Sequence, residues 1–357
     1  AHTVVVALPP GADFLAMLVS MLLSDGAIVA VALPRKTDPP GRLARIANRC
    51  GASAILCLAR NREMIEAQLW DAEYPSSCVT LAIDEPEPIP GDTRGGWRPV
   101  APIIQLTSGS TQFPKAVPVS AAQVMANCRL IQSLWGMNSQ TVMVNWLPHY
   151  HDMGLMGCIL YPLLSGARSI QMSPFDMVRR PASWLEAISR HKATISGGPP
   201  FAYLDCLNRI SEADASALDL SSWSHAFCGA EPIPAGLLDR FRDRFKASGL
   251  AGEAVFGCYG MAECTLFAAG ERGLDNVATQ QPEPKQMVEG CLLSKTTQSL
   301  IRIFDTKTRL PLLDGEVGEI CLTGPSVCDG YISYGSDAEE DLFIDYDGAQ
   351  WLQTGDL

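Results

Sequence analysis

The sequence predicts an α/β protein built from two parallel-type sheets covered by helices, with a smaller β-subdomain. Three observations support this. The chain has 357 residues, more than one hydrophobic core usually supports, so several packed subdomains are expected. Over the first two-thirds, short β-rich runs alternate with helical runs, the pattern of parallel sheets with helices on both faces. After residue 290 the helical runs give way to short strands separated by Gly, Asp and Pro.

The alternation begins with a strand at Thr3–Leu8 and a helix at Ala12–Leu23. Phe14 to Pro34 is apolar enough to suggest a membrane span, but Ser24-Asp25-Gly26 interrupts it. A helix, a turn and a buried strand at Ala27–Val31 explain it better. Further strands are expected at Ala54–Cys57, Ile103–Leu106, Val117–Val119, Val142–Trp146, Thr194–Ser196, His225–Cys228 and Ala254–Phe256. Helices are expected at Gly41–Arg49, Ala121–Trp135, Pro181–Arg190, Pro200–Arg209 and Ala235–Phe245. The Pro-rich stretch Glu85 to Pro102 reads as a linker. Leu300–Phe304, Glu319–Leu322 and Trp351–Leu352 are the strands of the closing β-rich part. The expected divisions are an α/β subdomain over 1–100, a second over 101–290 carrying the candidate sites, and a small β-subdomain over 291–357. Neither chain end looks like a natural domain boundary.

Composition narrows the function. Hydrophobic residues make up 47% and charged residues 18%, ordinary for a globular enzyme. The formal net charge of −12 disfavours nucleic acid and anionic membrane surfaces as partners. Any nucleotide must then be held by local donors and a metal ion. The 12 cysteines include no C-x-x-C pair and lie singly in apolar runs, so reduced, buried thiols in a cytoplasmic protein are expected, with disulfides or a zinc site as alternatives. No secretory signal is visible.

Leu106 to Lys115 (L-T-S-G-S-T-Q-F-P-K) follows a buried strand and is dense in hydroxyls. Such a loop can surround a polyphosphate with N–H groups, hydroxyls and one cation, or it can be a plain Ser/Thr turn. It is not a Walker A loop. Thr107, Ser108, Gly109, Ser110, Thr111 and Lys115 are the candidates. Asn145 to Leu155 (N-W-L-P-H-Y-H-D-M-G-L) follows another strand, and His151 can donate to an anion or be a strand-end histidine held by backbone partners. A metal pair of His149 and His151 lacks further ligands nearby. Cys228-Gly229-Ala230-Glu231-Pro232 follows a third strand. Glu231 can also be read as a helix N-terminal carboxylate, because Pro234 could start a helix. Tyr259-Gly260-Met261-Ala262-Glu263 and Thr354-Gly355-Asp356 complete the set, with the turn-rich Glu316–Gly324 and Gly330-Tyr331 given structural roles only.

In this order the segments resemble the signatures of the adenylate-forming superfamily, which includes acyl-CoA synthetases, luciferase-like enzymes, nonribosomal peptide adenylation domains and fatty acyl-AMP ligases. Thr107–Lys115 looks like T-S-G-S-T-x-x-P-K, Trp146–Leu155 like W-L-P-x-x-H-D-M-G-L, and Tyr259–Glu263 like Y-G-x-[TA]-E. Gln112 in place of a Gly, Ala262 in place of a Thr, and the W-L-P segment favour the fatty acyl-AMP ligases. The resemblance implies that this is the N-terminal domain of such an enzyme, missing a segment before Ala1 and the C-terminal lid domain with its catalytic lysine. It also implies an insertion within Gly270 to Ser299 that hinders use of CoA.

The implied activity is attack of an ionised fatty-acid carboxylate on the α-phosphorus of ATP, giving acyl-adenylate and pyrophosphate, for transfer to an acyl carrier protein. The implied cofactors are ATP and Mg²⁺. The implied catalytic residues are His151, Lys115 and Glu263, with Glu263 and Thr111 as metal contacts. The phosphate loop residues Thr107 to Thr111, together with Gly229, Ala230, Glu231, Tyr259, Gly260 and Asp356, would hold the nucleotide: Tyr259 on adenine, Asp356 on the ribose hydroxyls. Trp146, Met153, Gly197, Gly198 and Cys228 would line the acyl side. The rival readings are an acyl-CoA synthetase and a noncatalytic acyl- or nucleotide-binding module. An amino-acid adenylation domain is disfavoured because Phe175-Asp176-Met177 sits in the wrong context for an amine-binding aspartate.

Overall fold

The computed structural model describes residues 2–24, 26–35, 37–69, 78–85, 103–107, 114–273, 277–280, 287–291, 293–332 and 341–357. The chain divides into two compact units. The first comprises 1–124, 149–151 and 328–340; the second comprises 125–148, 152–327 and 341–357.

The first unit is a six-stranded sheet of β1 (Thr3–Val6), β2 (Ala27–Ala30), β3 (Ala52–Cys57), β4 (Val79–Ala82), β5 (Ile103–Leu106) and β6 (Ala116–Val119), in the order β4-β3-β1-β2-β5-β6. All neighbours are parallel except β5 and β6. The apolar stretch after Phe14 resolves into a helix at Ala12–Leu22 and then β2, as its Ser-Asp-Gly interruption demands. No helix of the described residues is long and apolar enough to cross a membrane. Val5, Val29, Ile55 and Ile104 from the sheet pack with Leu43 and Ile46 of the helix Arg42–Arg49.

The second unit holds β7 (Val142–Asn145), β8 (Arg168–Gln171), β9 (Ile195–Gly198), β10 (His225–Cys228), β11 (Ile233–Pro234), β12 (Val255–Gly257), β13 (Tyr259–Gly260), β14 (Phe267–Ala269), β15 (Val277–Gln280), β16 (Met287–Gly290), β17 (Ile301–Phe304), β18 (Glu319–Leu322), β19 (Phe343–Tyr346) and β20 (Ala349–Gln353). A wholly parallel sheet runs β12-β10-β9-β7-β8. A four-stranded antiparallel sheet, β17-β18-β20-β19, is the predicted smaller β-part. The second unit also holds the hairpin β13–β14 and the sheet β11-β16-β15. The parallel sheet is faced by helices at Ala182–His191, Pro200–Arg209 and Leu237–Phe245, whose buried Trp184, Tyr203 and Phe241 interlock with Trp223 in edge-to-face contacts.

Most predicted elements are found within one or two residues of their expected ends, the usual uncertainty of helix and strand limits. Several features differ from expectation. Pro234 belongs to β11, paired antiparallel with β16, and the next helix starts only at Leu237 after Gly236. Glu231 is therefore not a helix N-terminal carboxylate. Met153–Leu160 is a π-helix, and Arg168–Gln171 and Phe343–Tyr346 are strands; none of the three was anticipated. Phe175-Asp176-Met177 lies within the helix Pro174–Arg179. The Pro-rich stretch after Glu85 lies outside the described residues. No disulfide joins any of the twelve cysteines in this structure, and nine are buried.

Candidate active site

In the first unit, the hydroxyl-rich loop joins β5 to β6, and the register sets Leu106 opposite Ala116. That register brings the two ends of the loop together. The Thr107 N–H donates to the Lys115 carbonyl at 2.9 Å, and the Lys115 N–H donates to Thr107 Oγ1 at 3.2 Å. The loop therefore has a closed neck. The Lys115 ammonium lies 4.6 Å from the centroid of the Tyr331 ring, a cation–π contact, and the Ile332 N–H donates to the Ala116 carbonyl at 2.8 Å. Tyr331 was read from sequence as structural only, and nothing in the sequence marks it as the neighbour of Lys115. Ser108, Gly109, Ser110 and Thr111 lie outside the described residues.

The two histidines of the His149–His151 segment differ. His149 is 5% exposed, and its Nε2 lies 3.0 Å from the Leu8 carbonyl. A carbonyl only accepts, so Nε2 carries the proton. Burial pushes the imidazole pKa down to about 4, and Phe14 packs edge-on at 4.3 Å. His149 is thus a neutral histidine held by a backbone partner, the role considered for its neighbour. His151 is only partly buried.

In the second unit, several nominated residues lie at or just after the carboxyl ends of the parallel strands. Asn145, Gln171, Gly198, Cys228 and Gly257 each end a strand. The carboxyl ends of parallel strands are where open α/β sheets bind ligands. The Trp146 indole follows β7 and lies over Gly198, where a Cβ would meet Trp146 Cζ2 at 2.5 Å. Gly197 and Gly229 likewise face the backbone oxygens of Phe227 and Cys258. These glycines are therefore required by close packing of the strand ends themselves. Trp146, Met153 and Cys228 are all buried.

A polar chain fixes this edge. Asn145 Oδ1 accepts from the Leu147 N–H at 2.9 Å, and Asn145 Nδ2 donates to Gln171 Oε1 at 2.8 Å. Gln171 Nε2 donates to Ser169 Oγ at 2.7 Å, and Ser169 Oγ donates to the Cys158 carbonyl at 2.6 Å. Cys158 lies in the π-helix, whose N-terminus is capped by Asp152 accepting from the Met153 N–H at 2.6 Å. π-Helices are rare and concentrate at functional sites.

The hairpin β13–β14 carries Tyr259, Gly260 and the turn Ala262–Cys264 with Glu263. A Cβ on Gly260 would sit 1.8 Å from the Leu266 carbonyl oxygen, so only glycine fits there. The Tyr259 hydroxyl donates to Asp356 Oδ2 at 2.6 Å, joining two candidates 97 positions apart. Burial, then the bond to Asp356, hold the phenol well above its ordinary pKa. The backbone around Asp356 is fixed by its own N–H donating to Thr354 Oγ1 at 3.1 Å and by the Gly355 N–H donating to Glu319 Oε1 at 2.8 Å. Glu263 is 6% exposed. Ala230 is exposed and left-handed, at φ 71°. Among the described residues, no group of three or more His, Cys, Asp or Glu side chains is arranged to hold a metal ion.

A parallel sheet faced by helices, with glycines at the carboxyl ends of its strands, is the architecture in which open α/β proteins bind ligands. The AMP-binding enzyme family matches residues 1–332, and the chain belongs to that family. Among curated relatives, it is 36% identical over 281 residues to the medium-chain-fatty-acid–[acyl-carrier-protein] ligase TtuA of Teredinibacter turnerae, covering 71% of this chain and 44% of TtuA. It is 30% identical over 352 residues to the enzyme JamA of Moorena producens, which carries the same description, covering 90% of this chain and 59% of JamA. The chain thus spans about half the length of the curated relatives it matches. Among solved structures, the fatty acyl-adenylate ligase of L. pneumophila, in complex with acyl adenylate and pyrophosphate, matches with a TM-score of 0.77 at 28% identity, over 99% of this chain and 67% of that one.

Proposed function

We propose that the protein containing this chain activates a fatty acid with ATP, forming an acyl-adenylate and pyrophosphate, and passes the acyl group to an acyl carrier protein. The observation that carries the nucleotide half is the bond between the Tyr259 hydroxyl and Asp356. It unites an aromatic ring suited to stack on a base with a carboxylate suited to accept from ribose hydroxyls. The names of the relatives support the fatty-acid and carrier half.

The substrate carboxylate is ionised at neutral pH and needs no general base. A bond forms between a carboxylate oxygen and the α-phosphorus while the bond to pyrophosphate breaks, so catalysis is positioning and charge stabilisation. Thr107, Ser108, Gly109, Ser110, Thr111 and Lys115 take the outer phosphates, and the closed neck of their loop supports that role. Gly229, Ala230, Glu231, Tyr259 and Gly260 take the adenine. Trp146, Met153, Gly197, Gly198 and Cys228 take the acyl chain, and His151 orients its carboxylate.

Glu263 would hold Mg²⁺, with Thr111 as a second contact. A single buried carboxylate fits a cation that takes few protein ligands and completes its shell with phosphate oxygens and water. Mg²⁺, when bound, neutralises charge on the phosphates.

The test is ATP–pyrophosphate exchange by the full-length protein across a fatty-acid series, with carrier protein or CoA as acceptor. Exchange that depends on a fatty acid, with acyl transfer to the carrier and not to CoA, is the expected result. Thioester formation on free CoA would favour an acyl-CoA synthetase, and no exchange with any acid would favour a noncatalytic binding module.

A further inference from the structure

Asn127 lies on the helix Ala121–Trp135 and is completely buried. Its side chain has four hydrogen-bonding positions, and all four are used. Nδ2 donates to the Phe267 carbonyl at 2.7 Å and to the Cys264 carbonyl at 3.2 Å. Oδ1 accepts from the Phe267 N–H at 3.1 Å and from the Tyr161 hydroxyl at 2.9 Å. The Phe267 N–H can only donate and its carbonyl can only accept, so the orientation of the amide is fixed by its partners. Asn127 therefore grips both backbone groups of Phe267, as a neighbouring strand would, and also the carbonyl next to Glu263.

The segment it grips is not a relaxed one. Thr265 has φ 72°, a genuine outlier for a β-branched residue, and its hydroxyl is tied to the Ser326 carbonyl at 2.7 Å. Eight positions on, the Trp135 indole N–H of the same helix donates to the Gly270 carbonyl at 2.9 Å. A strained turn persists only where its surroundings over-determine it. Here the helix supplies that constraint at both ends of β14.

We propose that Asn127 is the positioning residue for the Glu263 turn, setting where the Glu263 carboxylate meets the cation that accompanies ATP. This rests on the reading of Glu263 given above. Without the amide, the Cys264 carbonyl and both backbone groups of Phe267 lose this contact, and the carboxylate is no longer held at one place.

The test uses the full-length protein with Mn²⁺ as the probe, its binding followed by electron paramagnetic resonance in the presence of ATP. The Asn127→Leu variant should bind Mn²⁺·ATP about tenfold to a hundredfold more weakly, the range for leaving buried hydrogen-bonding groups unsatisfied. The Phe267 amide should exchange faster, while the KM for fatty acid stays within about twofold. Tyr161→Phe keeps the bonds to Phe267 and Cys264 and should shift Mn²⁺ binding in the same direction by only about threefold, roughly half a neutral hydrogen bond. If Asn127→Leu does not fold, Tyr161→Phe decides the matter. Unchanged Mn²⁺ binding in a folded variant, or an equal loss for Mn²⁺ and fatty acid, overturns the proposal. Mn²⁺ binding needs no acyl substrate, so failure of the wild-type protein to activate any fatty acid would overturn the proposed function and leave this measurement standing.

Discussion

The Glu263 turn and the Tyr259–Asp356 contact share one hairpin, yet they are held in opposite ways. The turn is buried, strained at Thr265 and locked by an amide with every position filled. The contact is exposed at Asp356 and rests on one hydroxyl that a ligand hydroxyl can replace. On the proposed reading, Glu263 meets developing charge and gains from preorganisation, whereas Asp356 admits and releases a ribose and gains from an exchangeable partner. The difference teaches that burial and hydrogen-bond saturation divide this site into a fixed part and a replaceable part.

The comparison can be broken most severely at Gly260. Adding a Cβ there drives it into the Leu266 carbonyl, so Gly260→Ala should displace the hairpin and lower the melting temperature by several degrees or prevent folding. A variant as stable as the parent in thermal unfolding would mean that the hairpin gives way easily, and the fixed part would not be fixed. Next in size, Glu263→Gln should leave the melting temperature unchanged while reducing ATP–pyrophosphate exchange by about a hundredfold or more. Normal exchange would remove Glu263 from the chemistry.

On the replaceable side the effects should be smaller. Asp356→Asn keeps the shape but loses the carboxylate, and the KM for ATP should rise about tenfold, the worth of one charge-assisted hydrogen bond, with little change in kcat. A drop in kcat with KM intact would show that Asp356 belongs with the fixed part instead. Tyr259→Phe is the finest probe. It keeps the ring and frees Asp356 for the ribose, so the loss and the gain oppose each other, and the KM for ATP should stay within about threefold, less than one hydrogen bond's worth. A change as large as that of Asp356→Asn would mean the phenol hydroxyl is itself a ligand contact.

Much of this was legible in the sequence because it is periodic or local. Val5, Val29 and Ile55 announce buried parallel strands, and Ser24-Asp25-Gly26 separates a helix from the strand after it. Trp146, Gly198 and Cys228 fall at strand ends because the motifs themselves sit at the end of apolar runs. What escaped depends on contacts that sequence spacing does not carry. Asn127 sits mid-helix and looks unremarkable until Phe267 arrives from 140 positions away. The partner of Lys115 is an aromatic ring at position 331, and the partner of His149 is a carbonyl at position 8. The π-helix at Met153–Leu160 uses residues as apolar as any buried helix, so its hydrogen-bond pattern leaves no mark in composition. Arg168–Gln171 is an edge strand with a charged start, which blunts the usual β signature.

The burial of the thiols sets how this protein meets oxidants and alkylating reagents. Reaction at sulfur requires the thiolate. Burial pushes Cys50, Cys158 and Cys321 up to about 12 and Cys291 up to about 11, and raises Cys57, Cys128, Cys206 and Cys258 as well. At neutral pH these eight sulfurs are almost wholly protonated, and most are shielded besides. A chain this rich in cysteine should therefore behave toward peroxide or maleimide as though it carried very few, gaining rapid reactivity only when it unfolds, so the rate of thiol labelling becomes a direct clock for opening of the native state.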